Sequence, residues 1–360
     1  MNQLDEIDLN ITDRCNMDCS HCLFSAGSAR KDDLPLTSIE RTLQAGRRLG
    51  AHEVHITGGE PLVRKDLTTI LNMAHAQGYF VRLQTNLWAC TSDLINQIRE
   101  TTPEILTSLD GLEKSHDLVR RQGSFARAVR WIRKLLDEGF RVVVITAVQT
   151  KNYSDIIPLV DFLQTLGVHA HILFSVTPLG RAKEEDVVDL IMWERLLVGL
   201  RMRYGSCDSK TDIICELRQL GAADAINFLE RDCRLNTRNH AVVLATGEIY
   251  PCSLFTVTDR TLGNLLDADL QDIWLNSPQW DFYGIANRDT ECSTCDKWNY
   301  CKGGCRGYAY LLSHDISKKD PRCIKDAYPV CQSWKLNIRN LDLASFTWKV
   351  MKRNKVDSRG

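Results

Sequence analysis

The sequence lacks an excess charge of one sign, a long apolar run and any repeated or low-complexity tract. Its 360 residues carry 45 Lys and Arg against 46 Asp and Glu, so we expect no general attraction to nucleic acid or membranes. Apolar runs such as Val142–Ile145 are far shorter than the roughly 18 residues that cross a bilayer. The start, Met1–Glu6, lacks the basic and apolar regions of a signal peptide. We therefore expect a cytoplasmic protein.

Cysteine, in contrast, is abundant, with 14 residues. A small secreted chain would use so many in disulfides, but this length suits about two domains and a reducing compartment, where cysteines more often bind metals. Cys15, Cys19 and Cys22 follow the spacing C-x3-C-x2-C. Iron–sulfur clusters normally take four cysteines, and catalytic metal sites keep one position open. The spacing therefore suggests a cluster with one open iron, and a zinc knuckle using His21 is the alternative.

Short β-branched runs alternate with longer amphipathic segments along the first half of the chain. The predicted strands are Ile7–Thr12, Glu53–Thr57, Phe80–Thr85, Ile105–Ser108, Arg141–Ala147 and Ala170–Val176. The predicted helices are Ser38–Leu49, Asp66–Ala76, Ser92–Arg99, Ser124–Asp137 and Tyr153–Leu166, with Gly50 and Gly167 among their stops. Repeated strand–helix units favour a parallel sheet, either curled into a barrel or open.

Five chemically informative residues each follow a predicted strand directly: Cys15, Gly58, Asn86, Asp110 and Pro178. The carboxyl ends of parallel strands meet at one edge of such a fold. We therefore expect these residues to lie at one mouth.

The second half of the chain changes character twice. Residues 181–232 are polar and predicted to be helical, and from Cys233 short strands, glycines and cysteines follow. The stretch from Lys349 is a basic tail. The late cysteines are Cys233, Cys252, Cys292, Cys295, Cys301, Cys305, Cys323 and Cys331. A structural zinc ribbon is the alternative to iron–sulfur clusters for this set.

Taken together, the C-x3-C-x2-C motif, the Gly58–Pro61 motif (GGEP) and the late cysteines resemble the radical SAM enzymes with a C-terminal SPASM domain. The resemblance implies an α/β fold, with a partial (β/α)6 TIM-like barrel followed by a small cysteine-rich domain. The boundaries expected from it are 1–180 for the barrel, 181–232 for a bridging helical region, 233–335 for the SPASM domain and 336–360 for the tail. It also implies reductive cleavage of S-adenosylmethionine (SAM) to methionine and a 5′-deoxyadenosyl radical.

The same resemblance implies which residues contact SAM. They are His21 against the adenine, Gly58, Gly59, Glu60 and Pro61 around the methionyl amino group, and Asn86, Ser108 and Asp110 near the ribose and cavity. Strand-end capping is the alternative for Asn86. Arg120 or Arg121 could pair with the methionyl carboxylate, and the sequence does not choose between them. Asp110 and His55 are chemically able to transfer protons, but no general acid or base is assigned.

For the late cysteines the resemblance implies two auxiliary iron–sulfur clusters. Cys233, Cys252 and Cys305 are assigned to the inner cluster, and the outer cluster takes Cys292, Cys295, Cys301 and Cys323. The fourth inner ligand stays open, with Cys207 and Cys215 as distant candidates. Cys331 is an alternative to Cys323. Cys90, in contrast, is predicted to be a small buried apolar residue.

The function implied by the resemblance is an oxidoreductase that oxidatively modifies or cross-links a peptide or protein. A haem-pathway decarboxylase acting on tetrapyrrole propionates is the second candidate, and a non-catalytic iron–sulfur electron carrier is the third. The chemistry needs an electron donor such as flavodoxin or ferredoxin. No peptide-recognition domain precedes Cys15, so a peptide substrate would bind directly or through a separate carrier protein.

Overall fold

The computed structural model of the chain describes residues 4–30, 32–204, 211–215, 234–285, 291–295, 303–321 and 323. Of the predicted metal ligands, Cys233 and Cys301 lie outside these ranges, as do the alternatives Cys207 and Cys331, and only the backbone of Cys215 is described. Residues 1–321 form one compact unit and residues 322–360 a second one. In the second unit, Cys323 is the described residue.

A single mixed sheet organises the first unit. Its strand order is β10-β9-β8-β1-β2-β3-β4-β5-β6-β7. In this order, each strand from β8 to β7 runs parallel to the next one. At the other edge, β9 pairs antiparallel with both β8 and β10. The strands are β1 Glu6–Asn10, β2 Glu53–Thr57, β3 Phe80–Gln84, β4 Glu104–Ser108, β5 Arg141–Val148, β6 Ala170–Ser175, β7 Asp212–Cys215, β8 His240–Val243, β9 Glu248–Tyr250 and β10 Gly263–Asn264.

Helices connect successive parallel strands, as the repeated strand–helix pattern predicts. In chain order the described helices, of which the first seven make these connections, are α1 Leu36–Leu49, α2 Leu67–Ala76, α3 Ser92–Ile98, α4 Glu113–Val119, α5 Ser124–Asp137, α6 Ile156–Leu166, α7 Leu190–Tyr204, α8 Arg234–Thr237, α9 Leu270–Asn276, α10 Gln279–Ile285 and α11 Arg306–Ser313. The predicted stops Gly50 and Gly167 both adopt left-handed backbone conformations, with φ of 101° and 76°. The α/β class is confirmed.

The main apolar core lies between the sheet and its helices. On β1, Ile7 and Leu9 are fully buried in the same cluster as Leu43 of α1. Because side chains alternate along a strand, Glu6 and Asp8 face the opposite, inner side of the curved sheet. The inner side is thus the polar one at β1.

Three elements differ from the sequence expectation. Helix α4 was not predicted, because its seven residues are mostly polar and offer little periodicity. Strand β7 lies within the segment predicted to be helical and pairs with β6. Strand β1 ends at Asn10, and Thr12 forms an isolated bridge with Asp33 instead of extending the strand. Strands β8 and β9 pair antiparallel on either side of Gly247.

Among the residues that the structure describes, no helix is long and apolar enough to cross a bilayer.

Burial of His171 on β6 makes the stability of this fold depend on pH. Burial lowers the pKa of His171 to about 3, and its Nε2 lies 2.7 Å from Thr146 Oγ1. The unfolded chain takes up a proton near pH 6.5 while native His171 stays neutral, so the free energy of unfolding falls as the pH drops from about 6.5 towards 3. In His171→Gln, we expect this dependence to weaken by about 1.4 kcal/mol per pH unit within that window.

Unfolding midpoints measured across pH 4 to 7 test this expectation. The matched control is His52→Gln, because His52 is exposed and is solvated before and after unfolding. An equal change in both variants would contradict the role of burial.

Candidate active site at the carboxyl ends of the strands

The three early cysteines lie in a loop that follows β1 directly. The Cys15 amide donates to Gly27 O at 3.2 Å, and the Cys22 amide donates to Cys19 O at 3.3 Å. Cys19 is buried, and Cys15 and Cys22 are half-buried. None of these three cysteines forms a disulfide. The loop therefore presents three thiols from one short, folded segment.

These thiols form a donor set that suits a metal cluster. Burial, together with nearby Glu60, Cys19 and Cys22, raises the pKa of Cys15 to about 12, and a hydrogen bond from the Met17 amide opposes the shift. Burial also raises the pKa of Cys19. Three adjacent thiolates are thus unfavourable without a cation, whereas bound iron keeps them deprotonated. The residues present fit an iron–sulfur cluster.

The loop after β2 packs its backbone directly against the cysteine loop. The Gly59 amide donates to Thr12 O at 2.6 Å, and the Glu60 amide donates to Arg14 O at 2.9 Å. A Cβ on Gly58 would lie 2.4 Å from Thr12 O, and one on Gly59 would lie 2.3 Å from Arg14 O. Only glycine permits this approach.

Glu60 is fully buried and is held by donors of its own chain. Oε1 accepts from the Leu62 amide at 3.0 Å and from Thr85 Oγ1 at 2.7 Å, and Oε2 accepts from the Asn86 amide at 2.7 Å. Burial raises the pKa of Glu60 to about 7, although these hydrogen bonds oppose the shift. The carboxylate thus joins the ends of β2 and β3 in addition to any contact with a ligand.

Asp110, after β4, lies at the centre of a buried charged network. Arg120 Nε donates to Asp110 Oδ2 at 2.5 Å, and the Ala147 amide donates to Oδ1 at 2.9 Å. Burial raises the pKa of Asp110, but Arg120, His21 and His116 lower it more, to about 2. Arg120 Nη1 also lies 3.9 Å from Cys19 Sγ. One guanidinium thus links the cysteine loop to β4.

His21 faces this network. Its Nε2 lies 3.4 Å from Asp110 Oδ2, and its Nδ1 lies 3.3 Å from Gln149 Nε2. Burial lowers the pKa of His21 to about 4, so the ring is neutral at pH 7. Both ring nitrogens are thus close to Asp110 and Gln149, an arrangement that does not favour the zinc knuckle.

The other predicted SAM contacts lie at the same edge. Asn86 Nδ2 donates to Asn16 Oδ1 at 2.8 Å and lies 3.9 Å from Cys15 Sγ. Asn86 Oδ1 also accepts from the Trp88 amide at 2.9 Å, which is the capping role of the alternative interpretation. Pro61 is buried and begins a short 3₁₀ turn. Ser108 is half-buried at the end of β4.

Arg181, in the loop after β6, binds the cysteine loop, a contact that was not predicted from the sequence. Arg181 Nε donates to Cys19 O, and its Nη1 donates to Ala26 O, both at 2.7 Å. The Arg181 amide donates to Cys22 O at 3.1 Å. A Cβ on Gly180 would lie 2.3 Å from Cys22 O. The pair Gly180–Arg181, shortly after a predicted strand, is the sequence feature that could have indicated this contact.

The structure also separates Arg120 from Arg121. Arg120 is half-buried and pairs with buried Asp110. Arg121 is exposed, donates to Asn16 O at 2.8 Å and stacks over Trp88 with its guanidinium 4.3 Å from the ring centre. Arg120 is thus the arginine closer to the cysteines and to the network.

Four of the predicted auxiliary ligands are described within the first unit. Cys252 precedes the 3₁₀ turn Ser253–Phe255. The Cys295 amide donates to Cys292 O at 2.9 Å, and Cys305 precedes α11 with its amide donating to Asp320 Oδ2 at 2.7 Å. Cys90 is 5% exposed and belongs to the main core, as predicted.

Replacing Gly58 tests the loop contact. In Gly58→Ala, the methyl group would meet the Thr12 backbone, which cannot rotate away, so we expect a lower iron content after reconstitution and a lower unfolding temperature. Gly139→Ala is the matched control, because Gly139 has φ of 84° but no atom within 4 Å of its Cβ position. We expect Gly58→Ala to cost about 1–3 kcal/mol more than this control. Equal effects would contradict the argument.

Removing the Arg120 guanidinium tests the charged network. Arg120→Gln leaves Asp110 buried without its main partner, so we expect the free energy of unfolding to fall by about 3–5 kcal/mol. Arg130→Gln, on the exposed face of α5, is expected to change it by no more than about 0.5 kcal/mol. Chemical denaturation under anaerobic conditions measures both, and equal values would show that the pair is not buried as described.

Two domain families match the chain. The radical SAM superfamily matches residues 9–163, and SPASM, an iron–sulfur cluster-binding domain, matches residues 233–296. Mycofactocin maturase MftC of Mycolicibacterium smegmatis is 27% identical over 324 residues, which cover 88% of this chain and 81% of that protein.

Two further relatives differ in their named activity. AdoMet-dependent heme synthase of Methanosarcina barkeri is 25% identical over 338 residues, covering 87% of this chain and 94% of that protein. PqqA peptide cyclase of Xanthomonas axonopodis pv. citri is 25% identical over 343 residues, covering 88% and 86%.

The fold also resembles a solved structure. Streptococcus suis SuiB bound to S-adenosylmethionine superposes with a TM-score of 0.74 at 18% identity, covering 89% of this chain and 77% of that chain. This likeness confirms the expected partial-barrel fold. The two domains imply a 4Fe-4S cluster, auxiliary iron–sulfur clusters and SAM. The chain therefore belongs to the radical SAM enzymes that carry a C-terminal SPASM domain.

Proposed function

We propose that this enzyme oxidatively modifies or cross-links a peptide or protein. The observation that carries the proposal is the contact between the cysteine loop and the Gly58–Gly59 loop, through hydrogen bonds of 2.6 and 2.9 Å. This contact brings the three thiols and the backbone of Gly58 and Gly59 to the same edge of the sheet. When bound there, the cluster supplies the electron that cleaves SAM into methionine and a 5′-deoxyadenosyl radical.

The residues around this edge then divide the work of binding SAM. Cys15, Cys19 and Cys22 hold the cluster, and the half-buried backbone of Gly58 and Gly59 lies beside the methionyl end. The other SAM contacts that we propose are His21, Glu60, Pro61, Asn86, Ser108 and Asp110. Neutral His21 is suited to pack against the adenine, while Arg120 keeps Asp110 ionised. Burial of these groups excludes water from the reacting atoms.

The inner side of the sheet near the mouth supports a peptide substrate. Asn10, Thr57, Gln84 and Ser108 end their strands on this side by strand alternation, and such side chains can donate to and accept from peptide groups. PqqA peptide cyclase, a relative that matches 88% of this chain, is named for a peptide substrate. The heme synthase relative makes tetrapyrrole decarboxylation the second candidate.

The late cysteines complete the proposal. Cys252 and Cys305, with Cys233, hold the inner auxiliary cluster, and the outer one takes Cys292, Cys295, Cys301 and Cys323. Clusters held by these cysteines would accept the electron that oxidation of the substrate releases. Flavodoxin or ferredoxin supplies the first electron, a separate carrier protein presents the peptide, and the need for reduced thiols favours the cytoplasm. The domain boundaries 1–180, 181–232, 233–335 and 336–360 stay part of this proposal.

Paired cysteine variants test the first step. Reconstituted protein with SAM and dithionite should form 5′-deoxyadenosine, which chromatography measures. Cys19→Ala should abolish it, because the cluster loses a ligand. Cys90→Ala should retain it, because Cys90 packs in the apolar core and is not one of the three proposed cluster ligands. Equal activity in all three proteins would contradict the assignment of the cluster.

Substrate candidates then separate the two functions. A short peptide encoded beside the gene should lose hydrogen atoms in a SAM-dependent reaction that mass spectrometry detects. Release of carbon dioxide from a tetrapyrrole propionate, with the peptide unchanged, would overturn the peptide proposal while leaving radical SAM chemistry in place.

A further inference from the structure

A second cluster of potential metal ligands lies on the inner side of the sheet, below the SAM mouth. Glu6 and Asp8 come from β1, and His240 comes from β8, where Glu6 is the register partner of His240. One ligand atom from each residue lies within 4.8 Å of the others. None of the three belongs to the cysteine loop or to the residues proposed to bind SAM.

The His240 imidazole provides the first observation that points to a ligand. The residue is 4% exposed, yet neither ring nitrogen makes a hydrogen bond of acceptable geometry. Its Nε2 nevertheless lies 2.9 Å from Asp8 Oδ2. Two ligands at about 2.1 Å from a metal and at a right angle to each other are about 3.0 Å apart. The separation therefore fits neighbouring ligands of one cation.

A second histidine holds the Asp8 carboxylate in a fixed orientation. His55 Nδ1 lies 3.2 Å from Asp8 Oδ1, on the side away from His240. Metal-binding carboxylates in proteins are commonly oriented by such a partner. His55 thus acts as a positioning residue for Asp8.

Glu6 also belongs to a group of ion pairs around Arg82. Arg82 contacts three carboxylates, at 3.4 Å to Glu6, 2.9 Å to Glu53 and 2.8 Å to Glu104. Arg141 also contacts Glu104, at 2.7 Å. Glu53 thus lies in the same group of ion pairs without being one of the three potential ligands.

We propose that Glu6, Asp8 and His240 bind one divalent transition-metal ion. A set of one imidazole and two carboxylates suits Zn²⁺, Fe²⁺ or Mn²⁺. The strand β8 lies within the segment matched by the SPASM domain, whereas β1 begins the radical SAM part. The ion therefore fastens the late module to the first strand of the sheet, at a site separate from SAM cleavage.

Zinc binding to the cluster-loaded protein tests this proposal, because zinc is counted independently of iron. After treatment with EDTA and titration with ZnCl₂ alone, elemental analysis should show one tightly bound zinc per chain with unchanged iron. Asp8→Asn and His240→Gln should each weaken zinc binding by roughly tenfold or more. Glu53→Gln is the matched control, because Glu53 also faces Arg82 on the inner side, and it should bind zinc like the unmodified protein.

Zinc binding that is absent from the unmodified protein, or equal in Asp8→Asn and Glu53→Gln, would overturn the proposal. If the variants fail to fold, crystals of the unmodified protein soaked in ZnCl₂ decide the matter. Anomalous scattering at the zinc edge should give a peak between Asp8 and His240. A peak at the cysteines alone would contradict the site, and it would leave the SAM chemistry untouched.

Discussion

Backbone hydrogen bonds that hold the cysteine loop are the interaction on which the active site depends. Carbonyl groups of Thr12 and Arg14 are bound by the loop after β2, and carbonyl groups of Cys19 and Cys22 are bound by Arg181 after β6. The loop thus contacts the carboxyl ends of strands on both sides. These contacts hold the three thiols together even though burial raises the pKa of Cys15 and of Cys19.

Electrostatics near the loop follow from the same arrangement. Arg120 brings a positive charge close to Cys19 and neutralises Asp110. Glu60, in contrast, is held by hydroxyl and amide donors, and burial raises its pKa to about 7. The mouth therefore combines Asp110, which is ionised at pH 7, with Glu60, whose charged form a cationic ligand group would stabilise.

Much of this site could be predicted because its residues are adjacent in sequence. The three cysteines and Gly58–Gly59 form short motifs, and strand ends in a parallel sheet meet at one edge. Arg120 and Arg121 could not be separated, since neighbouring residues differ only in which side of the chain they occupy. Arg181 was missed because its partners lie more than 150 residues away. The ligand set of Glu6, Asp8 and His240 likewise depends on the pairing of β1 with β8.

A crystal structure of the reconstituted protein with bound SAM, with iron located by anomalous scattering, tests the proposed SAM site most directly. We expect iron beside Cys15, Cys19 and Cys22, with one iron bound by the methionyl end of SAM and that end lying against the backbone of Gly58 and Gly59. A fourth protein ligand such as His21 on that cluster, or SAM bound away from Gly58, would contradict it.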